Sequence, residues 1–223
     1  MILISACSFA AAAPTAPKGI YHGQQNILFI GDSHSVGVFG RTLTALLEAS
    51  QPDSHVTTVA SCGSSPRWWL NGNPTACGFW RRNADGSEVD DLKNTTPMLD
   101  DLINTVKPQL VIVALGSNLV RLSEAERSID TEAMMNKVTE KATQCIWIGP
   151  PDARKFSAAA INDVYVLLEK LANQYGCRLV DSRKYTRYPE SGGDGLHYNG
   201  IVGASRAKLW AYNVFRHEIL PVL

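Results

Sequence analysis

Ile27-Leu-Phe-Ile-Gly-Asp-Ser-His-Ser35 is a short apolar run that stops abruptly at a Gly-Asp-Ser turn. Apolar residues in unbroken succession, bounded by turn formers, read as a strand buried on both faces. Taken as Asn26–Ile30, this strand is followed by four similar ones: His55–Ala60, Gln109–Leu115, Cys145–Ile148 and Cys177–Asp181. Helical stripes lie between them. Val36, Leu43, Leu46 and Leu47 form the first. Ala158, Ile161, Val164, Tyr165, Leu168, Leu171, Ala172 and Tyr175 form the clearest, and Ile201, Ala204, Ala207, Ala211 and Phe215 form the last. These stripes are packing faces and carry no chemistry. Strand–helix alternation predicts an α/β fold, a three-layer α/β/α sandwich around a five-stranded parallel sheet with right-handed crossovers. Five such strands favour the flavodoxin-like order 2-1-3-4-5. No internal repeat is present.

In an open parallel sheet, ligands bind beyond the carboxyl ends of the strands, near the switch point between strands 1 and 3. Ser33 follows the first strand, Gly63 the second and Gly116-Ser-Asn118 the third. Asp194-Gly-Leu-His197 follows the fifth. A serine hydroxyl is a weak nucleophile until a positioned base takes its proton, and that base needs a partner to fix its tautomer. Ser33, His197 and Asp194 supply those three roles. Singly, Gly63 and Asn118 read as ordinary turn residues. Their convergence on one sheet edge is what argues for function.

These four blocks, in order, resemble the SGNH hydrolases, the GDSL esterase/lipase family, whose letters match Ser33, Gly63, Asn118 and His197. The resemblance spans about residues 26 to 215, nearly the whole length a single domain would occupy. It implies a serine esterase with Ser33, Asp194 and His197 as catalytic residues. It also implies an oxyanion hole from the Ser33 and Gly63 N–H groups and the Asn118 amide. The chain departs from the family pattern at His34, where an apolar residue is usual, and at Leu119, where many members have Asp. His34 reads as a turn or rim residue. An α/β-hydrolase is disfavoured, because the second glycine of G-x-S-x-G is missing and the acid lies close to the histidine. Asp32-Ser-His34 also fits a D-x-H metal pair of the metallophosphatase kind, but the further ligand blocks such a site needs are absent from the sequence. No cofactor and no metal are expected.

The chain has 223 residues, with 21 basic and 21 acidic side chains and zero formal net charge. A single domain of this size can bury a full core. The charge balance gives no support for a nucleic-acid partner, which would need a basic surface. No apolar run reaches the roughly 18 residues of a membrane span. Residues 1–25 are expected to be a truncated lipoprotein-type signal and an Ala/Pro-rich tether, with residues 26–223 the hydrolase domain. Ile4-Ser-Ala-Cys7 looks like a lipobox whose Cys7 would be acylated, although the basic n-region is missing. The alternative is an incidental cysteine on an untidy start. This reading places the protein outside the cytoplasm, as a periplasmic or outer-membrane lipoprotein of a bacterium, tethered to a membrane through Cys7.

Cys62 and Cys77 flank one long loop, and Cys145 and Cys177 open neighbouring strands within disulfide reach. Two disulfides are therefore expected, against the alternative of unrelated buried thiols. The loop from Ser61 to Asn94 carries Arg67, Trp68, Trp69, Phe79, Trp80, Arg81 and Arg82. Flat aromatics stack on sugar faces and arginine forks bind carboxylates. Arg67, Trp68, Trp69 and Trp80 are thus candidate substrate-binding residues, weighed against a mini-core that merely packs the loop. The activity implied is hydrolysis of carboxylic esters, with O-acetyl groups on a carbohydrate or cell-wall glycan foremost. Long-chain acyl esters or thioesters are the alternative within the class, and a catalytically inert glycan-binding module is the alternative outside it.

Overall fold

The computed structural model describes residues 23–223. Cys7, the lipobox reading and nearly all of the expected tether lie outside the described residues. The chain begins with β1 (Asn26–Gly31), α1 (Ser33–Val36), α2 (Val38–Ser50) and β2 (His55–Ser61). Next come α3 (Pro66–Asn71), β3 (Pro74–Thr75), β4 (Phe79–Arg82), β5 (Glu88–Asp91) and β6 (Asn94–Thr95). α4 (Leu99–Val106), β7 (Leu110–Ala114), α5 (Glu124–Lys141) and β8 (Gln144–Ile148) follow. The chain closes with α6 (Ala158–Tyr175), β9 (Arg178–Val180) and α7 (Gly200–Val214).

The fold is mixed α/β with a mostly parallel central sheet. Strand order is β5-β4-β2-β1-β7-β8-β9, so the sheet has seven strands and not the expected five. The five expected strands are its parallel part, and β4 and β5 extend it antiparallel at the β2 edge. A further pair, β3 and β6, forms a separate small ribbon. The segment read as one long loop is therefore largely structured. β4 is only four residues long, too short for a period-2 signature, yet Phe79 and Trp80 are both buried. The turn after it did leave a signal: Asp85-Gly86 lies between β4 and β5, and Gly86 adopts φ 83°.

Side chains alternate across the buried strands as the pleat requires. Leu28, Ile30, Val111 and Val113 pack with Leu99, Leu102, Met134, Val164 and Leu168 on one face. Ile27, Phe29, Leu110 and Ile112 pack with Phe39, Leu43, Trp210 and Val214 on the other. Helices thus cover both faces. α5 was not anticipated. Its buried residues Thr131, Met134, Met135 and Val138 keep helical spacing, but the rest of its surface is polar. Its capping box, Ser123 with Glu126, was readable in the sequence. α7 begins as expected, but Ile201, the first member of its stripe, is 93% exposed.

Both expected disulfides are formed. Cys62–Cys77 spans 5.5 Å between Cα atoms and Cys145–Cys177 spans 4.7 Å. The second pair lies at the amino ends of β8 and β9, which run parallel and adjacent. It closes a loop of 32 residues. Loop-closure entropy then predicts that Cys145→Ala/Cys177→Ala loses about 4 kcal/mol of folding stability. Urea unfolding of oxidised wild type and the double variant measures this directly. A midpoint unchanged between them would show that the bond adds no stability.

Candidate active site

β1 runs between β2 and β7, and its carboxyl end delivers Ser33 to the first position of α1. Asp32 caps that short helix, accepting the His34 N–H at 3.0 Å. Gly31 must be glycine, because a Cβ there would overlap the Ser35 side chain. Ser33 Oγ lies 3.0 Å from His197 Nε2, and His197 Nδ1 lies 2.5 Å from Asp194 Oδ2. A carboxylate at Nδ1 fixes the proton there, which leaves Nε2 as the acceptor for the Ser33 hydroxyl. The three residues assigned to a triad from the sequence are thus brought together.

The other Asp194 oxygen accepts the backbone N–H groups of Leu196 and His197 at 2.9 and 2.8 Å. Partial burial works to raise the Asp194 carboxyl. The bonds from the His197 ring and these two N–H groups, with the His197 charge, outweigh it and hold the group below the usual carboxylate range. His197 remains partly open to solvent, its side chain 31% exposed.

Gly63 follows β2 with φ +82°, a conformation that favours glycine. The Cys62–Cys77 bond and the Cys62 N–H to Gly78 carbonyl bond (2.8 Å) pin the residue before it. Asn118 Nδ2 donates to the Ser64 carbonyl at 2.9 Å, which fixes the amide and leaves its second N–H available. Neither the Ser33 nor the Gly63 backbone N–H is spent on another group among the described residues.

The tryptophan and arginine residues divide. Trp69 is fully buried, donating its indole N–H to Ser64 Oγ at 3.1 Å. Trp80 is buried beneath the Arg41 guanidinium, 4.7 Å from its ring centre. Neither can offer a ring face to a sugar, so for these two the mini-core reading holds. Arg67 is held by Asp130 at 2.8 Å and Glu126 at 3.4 Å. Trp68 alone of the group is half-buried beside Gly63, its ring 3.4 Å from where a Gly63 Cβ would stand.

His34 is not a rim residue. It is buried with its ring 5.5 Å from that of His197 and 5.7 Å from that of Trp210, and Nε2 is 3.3 Å from Ser117 Oγ. Burial, aided by the His197 charge, pushes this imidazole down to about 3. Neutral histidine therefore fills the space where an apolar residue was expected. Asp32 is buried too, and burial pushes its carboxyl up to about 7 against the opposing His34 N–H bond.

Two residues that sequence reasoning missed brace the triad. Tyr188 OH donates to the His197 carbonyl at 3.0 Å and accepts the Gly195 N–H at 3.1 Å. Arg154 donates to the carbonyls of Pro189 (3.1 Å), Glu190 (2.5 Å) and Gly192 (2.8 Å), and its guanidinium covers the Tyr188 ring at 5.6 Å. The available clue was position: Arg154 follows β8 on the ligand edge of the sheet.

No protein-family model matches the sequence, and no curated protein matches it. Solved structures share the fold. Axe2, an acetylxylan esterase from Geobacillus stearothermophilus, superposes with TM-score 0.60 at 15% identity, over 90% of this chain and 95% of its own. Catalytic mutants of Axe2 replace a serine, an aspartate and a histidine, the last two three positions apart. TesA gives TM-score 0.60 at 17% identity, over 88% of this chain and 99% of its own. A DUF4886 family protein from Bacteroides uniformis gives 0.54 at 15%, over 86% and 83%.

Asp32 supplies a test of the buried pair. The folded carboxyl holds its proton up to about pH 7, whereas the unfolded one releases it near 3.8. The unfolded state therefore sheds its proton first, and native stability falls as pH rises through that window. Asp32→Asn keeps an acceptor for the His34 N–H and has no such titration. Its melting temperature relative to wild type should climb between about pH 4 and about pH 8. His34 has the opposite slope in both proteins and cancels in the difference. A difference independent of pH would reject the raised carboxyl.

Proposed function

We propose that this protein is a serine esterase of the SGNH type that hydrolyses carboxylic esters, foremost O-acetyl groups on a carbohydrate. The observation that carries the reading is the unbroken chain Ser33–His197–Asp194 at hydrogen-bond distances. The catalytic serine, aspartate and histidine of Axe2 have the same order along the chain and the same Asp-to-His spacing.

In the proposed mechanism, Ser33 Oγ attacks the ester carbonyl while His197 Nε2 takes the hydroxyl proton. The carbonyl oxygen becomes an oxyanion, met by the free N–H groups of Ser33 and Gly63 and the second Asn118 N–H. Asp194 stabilises the imidazolium that forms. Collapse of the tetrahedral adduct breaks the bond to the alcohol, and His197 returns the proton to that leaving oxygen. Water then attacks the acyl-Ser33 with His197 again as base, releasing the acid and restoring Ser33. Removing one oxyanion donor, as in Asn118→Ala, typically lowers kcat by about 100- to 1000-fold.

Trp68, next to Gly63, is the member of the aromatic group left to contact substrate. Two disulfides suit an oxidising compartment, and an exported, envelope-tethered enzyme remains the proposed setting. Ile201 and Val202, 93% and 59% exposed near His197, favour the second reading, a long acyl chain. The esterase reading expects Ser33→Ala to abolish turnover of p-nitrophenyl acetate while melting as wild type does. Residual turnover near the wild-type level would end it. Acetyl esters should be cleaved faster than octanoyl esters, and the reverse preference would favour the acyl-chain alternative.

A further inference from the structure

A cleft of about 790 Å³ opens on the flank of His197. Arg187 and Arg206 form part of its wall, with Glu190, Ile201 and Val202. Both arginines are exposed, and neither pairs with a carboxylate among the described residues. Arg187 Nη1 donates to the carbonyls of Arg183 and Thr186 at 2.5 and 2.7 Å, and Arg206 Nη1 donates to the Arg187 carbonyl. Arg154, behind the same loop, likewise donates only to carbonyls among the described residues. Elsewhere among the described residues Arg41, Arg67, Arg82, Arg178 and Arg183 each hold an aspartate or glutamate, while Arg81, Arg121, Arg127 and Arg216 do not. Of nearby carboxylates, Asp194 is engaged by His197, and Asp152 accepts the Tyr188 N–H at 2.7 Å. Glu190 is left against two guanidiniums on the wall and a third beneath it. Each guanidinium has five N–H donors in a planar fork; Arg154 spends three on carbonyls, whereas Arg187 and Arg206 keep most of theirs.

The mechanism says which part of a substrate reaches this wall. His197 must return its proton to the leaving alcohol, so the alcohol portion lies on the His197 side. The acyl oxygen lies toward Gly63 and Asn118. An alcohol portion that extends past His197 therefore enters the cleft and meets Arg187 and Arg206. The first turn of α7, whose N-cap Asn199 makes no side-chain cap bond, forms part of the same wall. We propose that this cleft selects esters whose alcohol portion carries a carboxylate, an O-acetylated acidic saccharide rather than a neutral one. The proposal rests on the serine-esterase reading and adds to it the charge of the substrate and the residues that recognise it.

The test compares acetylated polygalacturonate oligosaccharides, acetylated xylo-oligosaccharides and p-nitrophenyl acetate on wild type and Arg187→Gln/Arg206→Gln. Wild type should prefer the acidic substrate by kcat/KM. That preference should shrink as NaCl rises from about 20 mM to about 500 mM, where surface charge is screened. The double variant should lose about tenfold more on the acidic substrate than on the other two, because only the acidic one uses the forks. Arg187→Lys/Arg206→Lys should recover part of the loss. The salt dependence of wild type stands even where a variant folds poorly. A wild type that treats acidic and neutral saccharides alike, or a variant that loses equally on all three, overturns the proposal. Wild type inert toward p-nitrophenyl acetate would instead remove the esterase reading itself, and this proposal with it.

Discussion

Ser33 Oγ and His197 Nε2 meet at 3.0 Å across 164 residues of chain. A bond of that reach has no local cause. It requires β1 to end where α7 begins, and both conditions follow from the order of parallel strands around β1. β1 is hydrogen-bonded to β2 on one side and to β7 on the other, so the loops after all three open on the same edge. The sheet's two covered faces fix that edge in turn. A slip of one residue would move Ile27 and Phe29 to the face of Leu28 and Ile30. It would also carry Ser33 away from His197.

The ground beneath Ser33 is unusual for its burial of polar groups. Asp32 and His34 flank Ser33, and both are buried. Their desolvation acts in opposite directions, raising the acid and lowering the base, so both favour the neutral form. A neutral pair costs far less to bury than an ion pair. Neutral His34 also spares His197 a buried positive neighbour 5.5 Å away. An apolar residue at position 34 would serve packing equally well, but it could not bond Ser117, which stands beside Asn118 in the loop after β7.

How much of this could be read from the sequence depended on how far each pattern was encoded locally. The apolar runs of β1, β2, β7 and β8 were legible because both faces of those strands are buried. The Ser33–His197–Asp194 cluster was legible because Asp194 and His197 lie three positions apart and Ser33 follows a strand. β4 was lost because four residues cannot show a period, and α5 because only a narrow stripe of it is buried. Trp69 and Trp80 could not be separated from Trp68 by composition; their burial is set by how α3 and β4 pack on the sheet. Arg154 and Tyr188 were illegible for a different reason. They act through main-chain carbonyls and N–H groups, which every residue has, so no side-chain spacing marks them.

That last class of contact explains how a glycine-rich segment can hold His197 in register with Ser33. Gly192, Gly193 and Gly195 all have positive φ, at 74°, 64° and 83°. Such residues lose more backbone freedom on folding than any others. Within the segment Asp194 ties down the Leu196 and His197 N–H groups, but the glycines have no side chains to add. The rest of the restraint comes from outside: Arg154 gathers three carbonyls before Asp194, Tyr188 bonds on either side of Leu196, and the Lys155 N–H donates to the Gly195 carbonyl at 2.8 Å. Arg154 and Lys155 both belong to the stretch that follows β8. The central sheet therefore positions Ser33 directly, through β1, and His197 indirectly, through a neighbouring strand's loop. Rigidity is supplied where the sequence leaves the backbone free, and the same brace keeps Arg154 and the Arg187–Arg206 wall beside the site.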